Sequence, residues 1–313
     1  MKSHVLRLLS LGLGCALYGL TLQAQQTAEV TGEIESGGIK RTFLLHLPAS
    51  SPKGKPLPLV IALHGGGGQG KGIVKLTGLN ELADRNNFIV VYPDGIERNW
   101  NDGRSTVRRR DVDDVKFLGE LIEHLAKTYG IDRQRVYATG ISNGGMMSLR
   151  LACELSDKIA AIASIAANLP AELQPRCRPA RPVSVLMISG TADPLMPFGG
   201  GDIGTMGGRG MGGKVISAQE TVAFWAKVNR TATKPVVTDL PDVDPNDGMR
   251  VRREVFGKGA LNSEVVFYTI TNGGHTWPGG FQYLGEAIIG KTSRELNASA
   301  TMGEFFARHK RTS

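Results

Sequence analysis

The stretch Gly140-Ile141-Ser142-Asn143-Gly144 has the G-x-S-x-G spacing of a nucleophile elbow. Arg135-Val136-Tyr137-Ala138-Thr139 before it reads as a short buried strand, and Gly145 to Leu151 after it as the opening of a helix. A serine on so sharp a strand-to-helix turn has its hydroxyl pushed out of the sheet, where it can attack a carbonyl. The flanking glycines relieve the crowding such a turn creates. The pattern alone is common by chance. Its strand and helix context makes Ser142 the predicted nucleophile.

A serine nucleophile needs a base, and the base needs an orienting acid. In α/β-hydrolases the three follow in chain order serine, acid, histidine. Of six histidines, only His275 and His309 follow a plausible acid. His309 lies in the basic run Arg308-His309-Lys310-Arg311 and reads as solvated surface. His275 lies in Asn272-Gly273-Gly274-His275-Thr276-Trp277-Pro278-Gly279-Gly280, where glycines let a loop arch over a pocket. Asp193, in the tight turn Gly190-Thr191-Ala192-Asp193-Pro194, is the leading acid, able to fix the imidazole tautomer and stabilise the imidazolium. Asp202 is a second candidate. Asp239, Asp242, Asp244 and Asp247 fall in what reads as a solvated surface loop.

An acyl-transfer site also needs donors for the oxyanion. The amide of Asn143 is one, and Gly66 in His64-Gly65-Gly66-Gly67-Gly68 is the first choice for the other, with Gly67 second. Trp100 and Trp277 sit in loops expected at the catalytic end of the sheet, where an indole could stack on an acyl group or polymer face. Either could instead merely pack its loop onto the core. The glycine-rich loop 199–213 is a candidate rim or lid. Arg104 and Arg108 are candidates to orient a substrate carboxylate.

These residues need a scaffold that alternates strand and helix. Buried strands are expected over Thr42–Leu47, Pro58–Leu63, Phe88–Tyr92, Ile159–Ala166 and Pro182–Ser189, with final strands over Val251–Phe256 and Glu264–Ile270. Helices are expected over Val74–Arg85, Asp113–Tyr129, Ser217–Val228 and Ala298–His309. Val115, Leu118, Leu121, Ile122, Leu125 and Tyr129 share one face of the second, which Gly130 can stop. The order implies a single α/β domain with a mostly parallel central sheet covered by helices on both faces.

Composition bounds the rest. Apolar residues at 41% and charged residues at 21% exclude a disordered or fibrous chain. Lys2 and Arg7 followed by the apolar run Leu8–Leu22 read as a secretory signal over residues 1–24, cleaved near Leu22-Gln23-Ala24, with the catalytic domain over residues 25–313. A lipoprotein signal using Cys15 is the alternative, although Gly12-Leu13-Gly14 matches a lipobox poorly. No later run reaches the ~18 apolar residues of a membrane span. Cleavage removes two positive charges and lowers the net charge from +8 to +6. Arg108-Arg109-Arg110 is offset by Asp111, Asp113 and Asp114, so no nucleic-acid partner is expected. Cys153 and Cys177 would then remain, an even pair that suggests one disulfide in an oxidising compartment.

Together these segments resemble the secreted esterases grouped with polyhydroxybutyrate depolymerases and feruloyl esterases, near carbohydrate esterase family one. The likeness runs through Leu63-His64-Gly65-Gly66, Arg98-Asn99-Trp100-Asn101-Asp102-Gly103, Val112-Asp113-Asp114-Val115, the elbow, the Asp193 turn and Gly274-His275-Thr276-Trp277-Pro278-Gly279. Ser189 departs from it, since such sequences often carry a histidine before the Gly-Thr of the acid turn. The resemblance implies an α/β-hydrolase fold, Ser142, Asp193 and His275 as a triad, and no metal or cofactor. The expected activity is hydrolysis of hydroxycinnamoyl (feruloyl-type) esters of plant polysaccharide or of polyhydroxyalkanoates and related polyesters, by a secreted monomer. Acetylxylan ester hydrolysis, peptide hydrolysis and a non-catalytic binding role are the alternatives.

Overall fold

The computed structural model describes residues 28–49, 55–107, 109–205 and 212–312. The elements run, in chain order, β1 (Ala28–Ser36), β2 (Ile39–Leu47), β3 (Leu57–Leu63), α1 (Gly70–Thr77), α2 (Leu79–Asn86), β4 (Ile89–Pro93), α3 (Asp114–Tyr129), β5 (Ile131–Ile141), α4 (Asn143–Glu154), β6 (Ala161–Ile165) and β7 (Ser184–Gly190). They continue with β8 (Gly201–Asp202), β9 (Lys214–Val215), α5 (Ala218–Val228), β10 (Val236–Asp239), β11 (Arg250–Phe256), β12 (Val265–Thr271), α6 (Glu286–Ile289) and α7 (Ala298–Ala307). Among the described residues, ten strands form one sheet in the order β1-β2-β4-β3-β5-β6-β7-β12-β11-β10. The six from β4 to β12 are parallel to their neighbours, and antiparallel strands flank them on both sides. This is a single α/β-hydrolase domain.

Period-two alternation explains the two layers. In β3, Leu59, Ile61 and Leu63 enter one apolar cluster, while Val60 and Ala62 enter the other. In β4, Ile89 and Val91 likewise face away from Val90 and Tyr92. The first cluster holds apolar residues of α3, α4 and α5 and the second those of α1, α2 and α7. Strands buried on both faces carry no polar stripe, which is why they read as continuous apolar runs.

The structure adds elements that the sequence reading omits. β1 pairs with β2 over its whole length, although its Glu-rich alternation carries a weak strand signal. The single helix expected over Val74–Arg85 is two. Gly78, at φ 60°, caps α1 with its amide on the Val74 carbonyl and turns the chain into α2. Within the polar stretch expected to be all loop, β10 adds an exposed outer strand on β11. α3 begins as expected, with the Asp113 carboxylate accepting from the Lys116 amide, and it ends on Gly130 in the left-handed region.

Cys153, in α4, is bonded to Cys177, which precedes β7. The bond tethers the helix behind the elbow to the approach of the acid-bearing strand. A loop of this length stabilises by roughly 3 kcal/mol in the chain-entropy model. The Cys153→Ala/Cys177→Ala variant is therefore expected to lose about 2–4 kcal/mol in urea unfolding. A loss below ~0.5 kcal/mol, the usual scatter of a neutral surface change, would contradict the tether.

Candidate active site

Ser142 sits between β5 and α4 at φ 57° and ψ −122°, a region an L-residue seldom enters. The turn is held from both sides: Ser142 donates its amide to the Ile165 carbonyl at 3.0 Å, and its own carbonyl accepts from Met146 at 2.9 Å. Gly144 must be glycine, since a Cβ there would lie 2.2 Å from the Leu63 carbonyl oxygen and 2.6 Å from that of His64. The helix thus begins in direct contact with the end of β3.

The expected acid and base follow the ends of β7 and β12. Asp193 accepts the Leu195 and Met196 amides on Oδ1, at 2.8 and 2.7 Å. Its Oδ2 faces His275 Nδ1 at 2.8 Å. Both side chains of this pair are buried. The His275 carbonyl accepts from the Tyr283 hydroxyl at 2.8 Å. Burial first, and the charge of Asp193 second, push the Tyr283 phenol upward, so it keeps the proton it donates. Asp202 is exposed in the β8–β9 hairpin and pairs with Lys214 through the backbone. His309 is not free surface: its Nε2 meets Glu264 at 3.0 Å and its ring packs edge-on against Phe305.

Ser142 and His275 line one cleft of about 760 Å³, together with His64, the 65–68 glycine loop and Asn143. A methyl at Gly66 would lie 3.8 Å from the Asn143 Cβ, so the two residues expected to supply oxyanion donors are neighbours. Asn143 opens α4, where amides have no intrahelical acceptor. The Gly67 amide, the second choice, is bonded to the Arg98 carbonyl at 2.8 Å. His64 fastens this loop from beneath. Its Nδ1 lies 2.8 Å from the Gly65 carbonyl, and its Nε2 accepts the Gly95 amide at 3.0 Å. That arrangement needs a neutral ring protonated on Nδ1, and burial lowers the His64 pKa against the raising effect of the Gly65 carbonyl.

Neither predicted stacking tryptophan reaches the cleft wall. Trp100 is 1% exposed, donates to the His64 carbonyl at 3.0 Å and packs against the His64 ring. Trp277 is equally buried, donates to Ser299 Oγ at 3.0 Å and borders a separate surface pocket. Both pin loops to the core. The cleft walls are instead Met146, Leu195, Met196 and Ile203 together with Ile73, Leu76, Phe281, Tyr283 and Leu284. Apart from Met146, which directly follows the elbow, those residues belong to no motif, so their only sequence signal is proximity to the triad turns. Arg104 lines the cleft, but its guanidinium is paired with Asp102. Arg108 and residues 206–211 of the glycine-rich loop lie outside the described residues. The flanks of that loop are tied by β8–β9 pairing and by the Ile203 amide on the Gly213 carbonyl. Among the described residues no cluster of side chains is arranged to hold a metal ion.

Solved α/β-hydrolases share this layout. Acetyl xylan esterase from Aspergillus awamori superposes with a TM-score of 0.57 at 15% identity, covering 90% of this chain and 99% of that one. A thermostable esterase gives a TM-score of 0.55 at 14% identity, covering 92% of this chain and 64% of that one. At such identities the likeness is one of fold. In sequence, the Esterase family model matches residues 34–264, and the chain belongs to that family of carboxylic ester hydrolases. "Putative esterase NocK" of Nocardia uniformis subsp. tsuyamanensis is 34% identical over 282 residues, covering 87% of this chain and 81% of that protein. Feruloyl esterase B of Piromyces equi is 30% identical over 201 residues, 62% of this chain but only 37% of that protein. The bifunctional acetylxylan esterase/xylanase XynS20E of Neocallimastix patriciarum is 30% identical over 154 residues, 49% of this chain and 22% of that protein.

His64 gives the site a pH signature. Its folded pKa is below the ordinary 6.5, so the unfolded chain takes up the proton first. Its contribution is full above pH 6.5 and is lost as pH falls below that value. The stability advantage of wild type over His64→Gln, followed by thermal melts, is expected to shrink on acidification. An advantage that grows below pH 6 would contradict a neutral His64.

Proposed function

We propose that this protein is a secreted serine esterase that works through an acyl-enzyme. The observation that carries the reading is His275, held by Asp193 through Nδ1, sharing one cleft with the elbow serine. With Nδ1 bound to the carboxylate, Nε2 is the nitrogen available to take the Ser142 proton as the hydroxyl attacks the ester carbonyl. The amides of Asn143 and Gly66 receive the oxyanion. His275 then protonates the leaving alcohol, and water deprotonated by the same ring releases the acid. Residues 1–24 act as the export signal. The Cys153–Cys177 bond agrees with an oxidising compartment, and no helix among the described residues is long and apolar enough to cross a membrane.

The leading substrates are hydroxycinnamoyl esters of plant polysaccharide. A mostly apolar cleft, lined by Leu195, Met196 and Phe281 among others, suits a flat aromatic acyl group. The likeness to a feruloyl esterase supports the same class. Polyesters such as polyhydroxyalkanoates are the second reading, favoured by the exposed apolar rim formed by Phe281 and Leu284. The likeness to an acetylxylan esterase supports xylan acetyl esters as a third.

A fluorophosphonate probe is expected to label the protein, and Ser142→Ala to abolish labelling and lower ester hydrolysis by roughly 10⁴-fold or more. Unchanged hydrolysis in that variant would reject the mechanism. Side-by-side rates on methyl ferulate, a polyhydroxybutyrate suspension and acetylated xylan are expected to rank in that order. A preference for acetylated xylan would overturn the substrate assignment and leave the mechanism intact.

A further inference from the structure

We propose that Asp102 and Arg104 are positioning residues for the oxyanion site: the carboxylate clamps Asn143, and the guanidinium offsets its charge on the side facing the cleft. The inference rests on the serine-esterase reading and assigns roles to two residues that take no part in its proton transfers.

Asn143 is held by its own side chain. Oδ1 accepts the Trp100 amide at 2.8 Å, and Nδ2 donates to the Trp100 carbonyl at 3.0 Å and to Asp102 Oδ2 at 2.6 Å. Side chain and amide belong to one residue, so fixing the first fixes the direction of the second. Oxyanion donors act because they are already aimed before charge develops. A 98%-buried asparagine with both polar atoms engaged supplies that aim.

The clamp carries an electrostatic cost. Asp102 is wholly buried, and an isolated carboxylate behind an oxyanion site would oppose the charge forming there. Arg104 answers it with a fork, Nε to Oδ1 at 2.9 Å and Nη2 to Oδ2 at 2.6 Å. Arg104 lines the cleft and Asp102 does not. The positive member of the pair is therefore the one that borders the cleft. Nη1 also donates to the Gly212 carbonyl, which ties the return of the glycine-rich loop to the same network. A role of Arg104 in packing alone would be served by any side chain of similar volume, and a role in binding a substrate carboxylate would leave the guanidinium unpaired.

Arg104→Met tests this directly, because it strands the carboxylate. Its kcat on a neutral p-nitrophenyl ester is expected to fall by about tenfold to a hundredfold with KM within about twofold, the signature of an interaction made in the transition state. Affinity for phenylboronic acid, whose adduct with the serine is an anionic tetrahedron, should fall by a similar factor. Asp102→Asn/Arg104→Met retains an acceptor for Asn143 but no stranded charge, and should regain most of the lost kcat. Arg104→Lys should lie between, and with the double variant it carries the test if Arg104→Met does not fold. Wild-type kcat in Arg104→Met, a loss confined to KM, or a fully folded double variant no better than Arg104→Met would each overturn the proposal. Absence of fluorophosphonate labelling in the wild type would instead remove the serine mechanism itself, so the two failures are distinguishable.

Discussion

A serine held at positive φ against the bias of its own backbone is the constraint around which this molecule is organised. Such a conformation costs about 1–3 kcal/mol and persists only where the surroundings over-determine it. Here they do so from three directions. The Ile165 carbonyl of β6 accepts the Ser142 amide, the Met146 amide of α4 donates to the Ser142 carbonyl, and the end of β3 presses against Gly144 so closely that no side chain fits between them. The strand order brings β3 and β6 to either side of β5, so the central sheet is itself part of the restraint. Packing of the two apolar layers supplies the stability that this strain draws upon.

The functional loops are pinned by polar groups inside the protein. Asp193 is aimed by two backbone amides before it meets His275, and Tyr283 steadies the histidine from its carbonyl side. His64 and Trp100 hold the glycine loop from below, so its open-looking sequence is rigidly supported. Asp114 performs a related task farther out, accepting the Asn101 amide while paired with the buried Arg41. On the proposed mechanism, the donors and the proton acceptor are thus positioned ahead of substrate binding.

The parts that sequence made legible are those with local signatures. The elbow, the glycine-flanked His275 and the Asp193 turn are short patterns, and the doubly buried strands are continuous apolar runs. The cysteine pair followed from counting. What sequence did not show depends on contacts between distant segments. Trp100 and Trp277 lie near the catalytic end, as their neighbours suggest, but only tertiary packing turns their indoles inward. The link from Asn143 to Asp102 spans 41 residues and leaves no periodicity to detect. β1 and β10 carry little sequence signal because they are outlying antiparallel strands with polar or exposed faces, and the break at Gly78 carries little because one glycine in an amphipathic run is compatible with a continuous helix.

A crystal structure of the protein inactivated with an alkylphosphonate ester would test the central claim most directly, since the adduct imitates the tetrahedral intermediate. Phosphorus is expected on Ser142 Oγ, with the phosphoryl oxygen about 2.7–3.1 Å from the Asn143 and Gly66 amides and His275 Nε2 turned toward the ester oxygens. A phosphoryl oxygen pointing into solvent, or an adduct on any other side chain, would contradict the account.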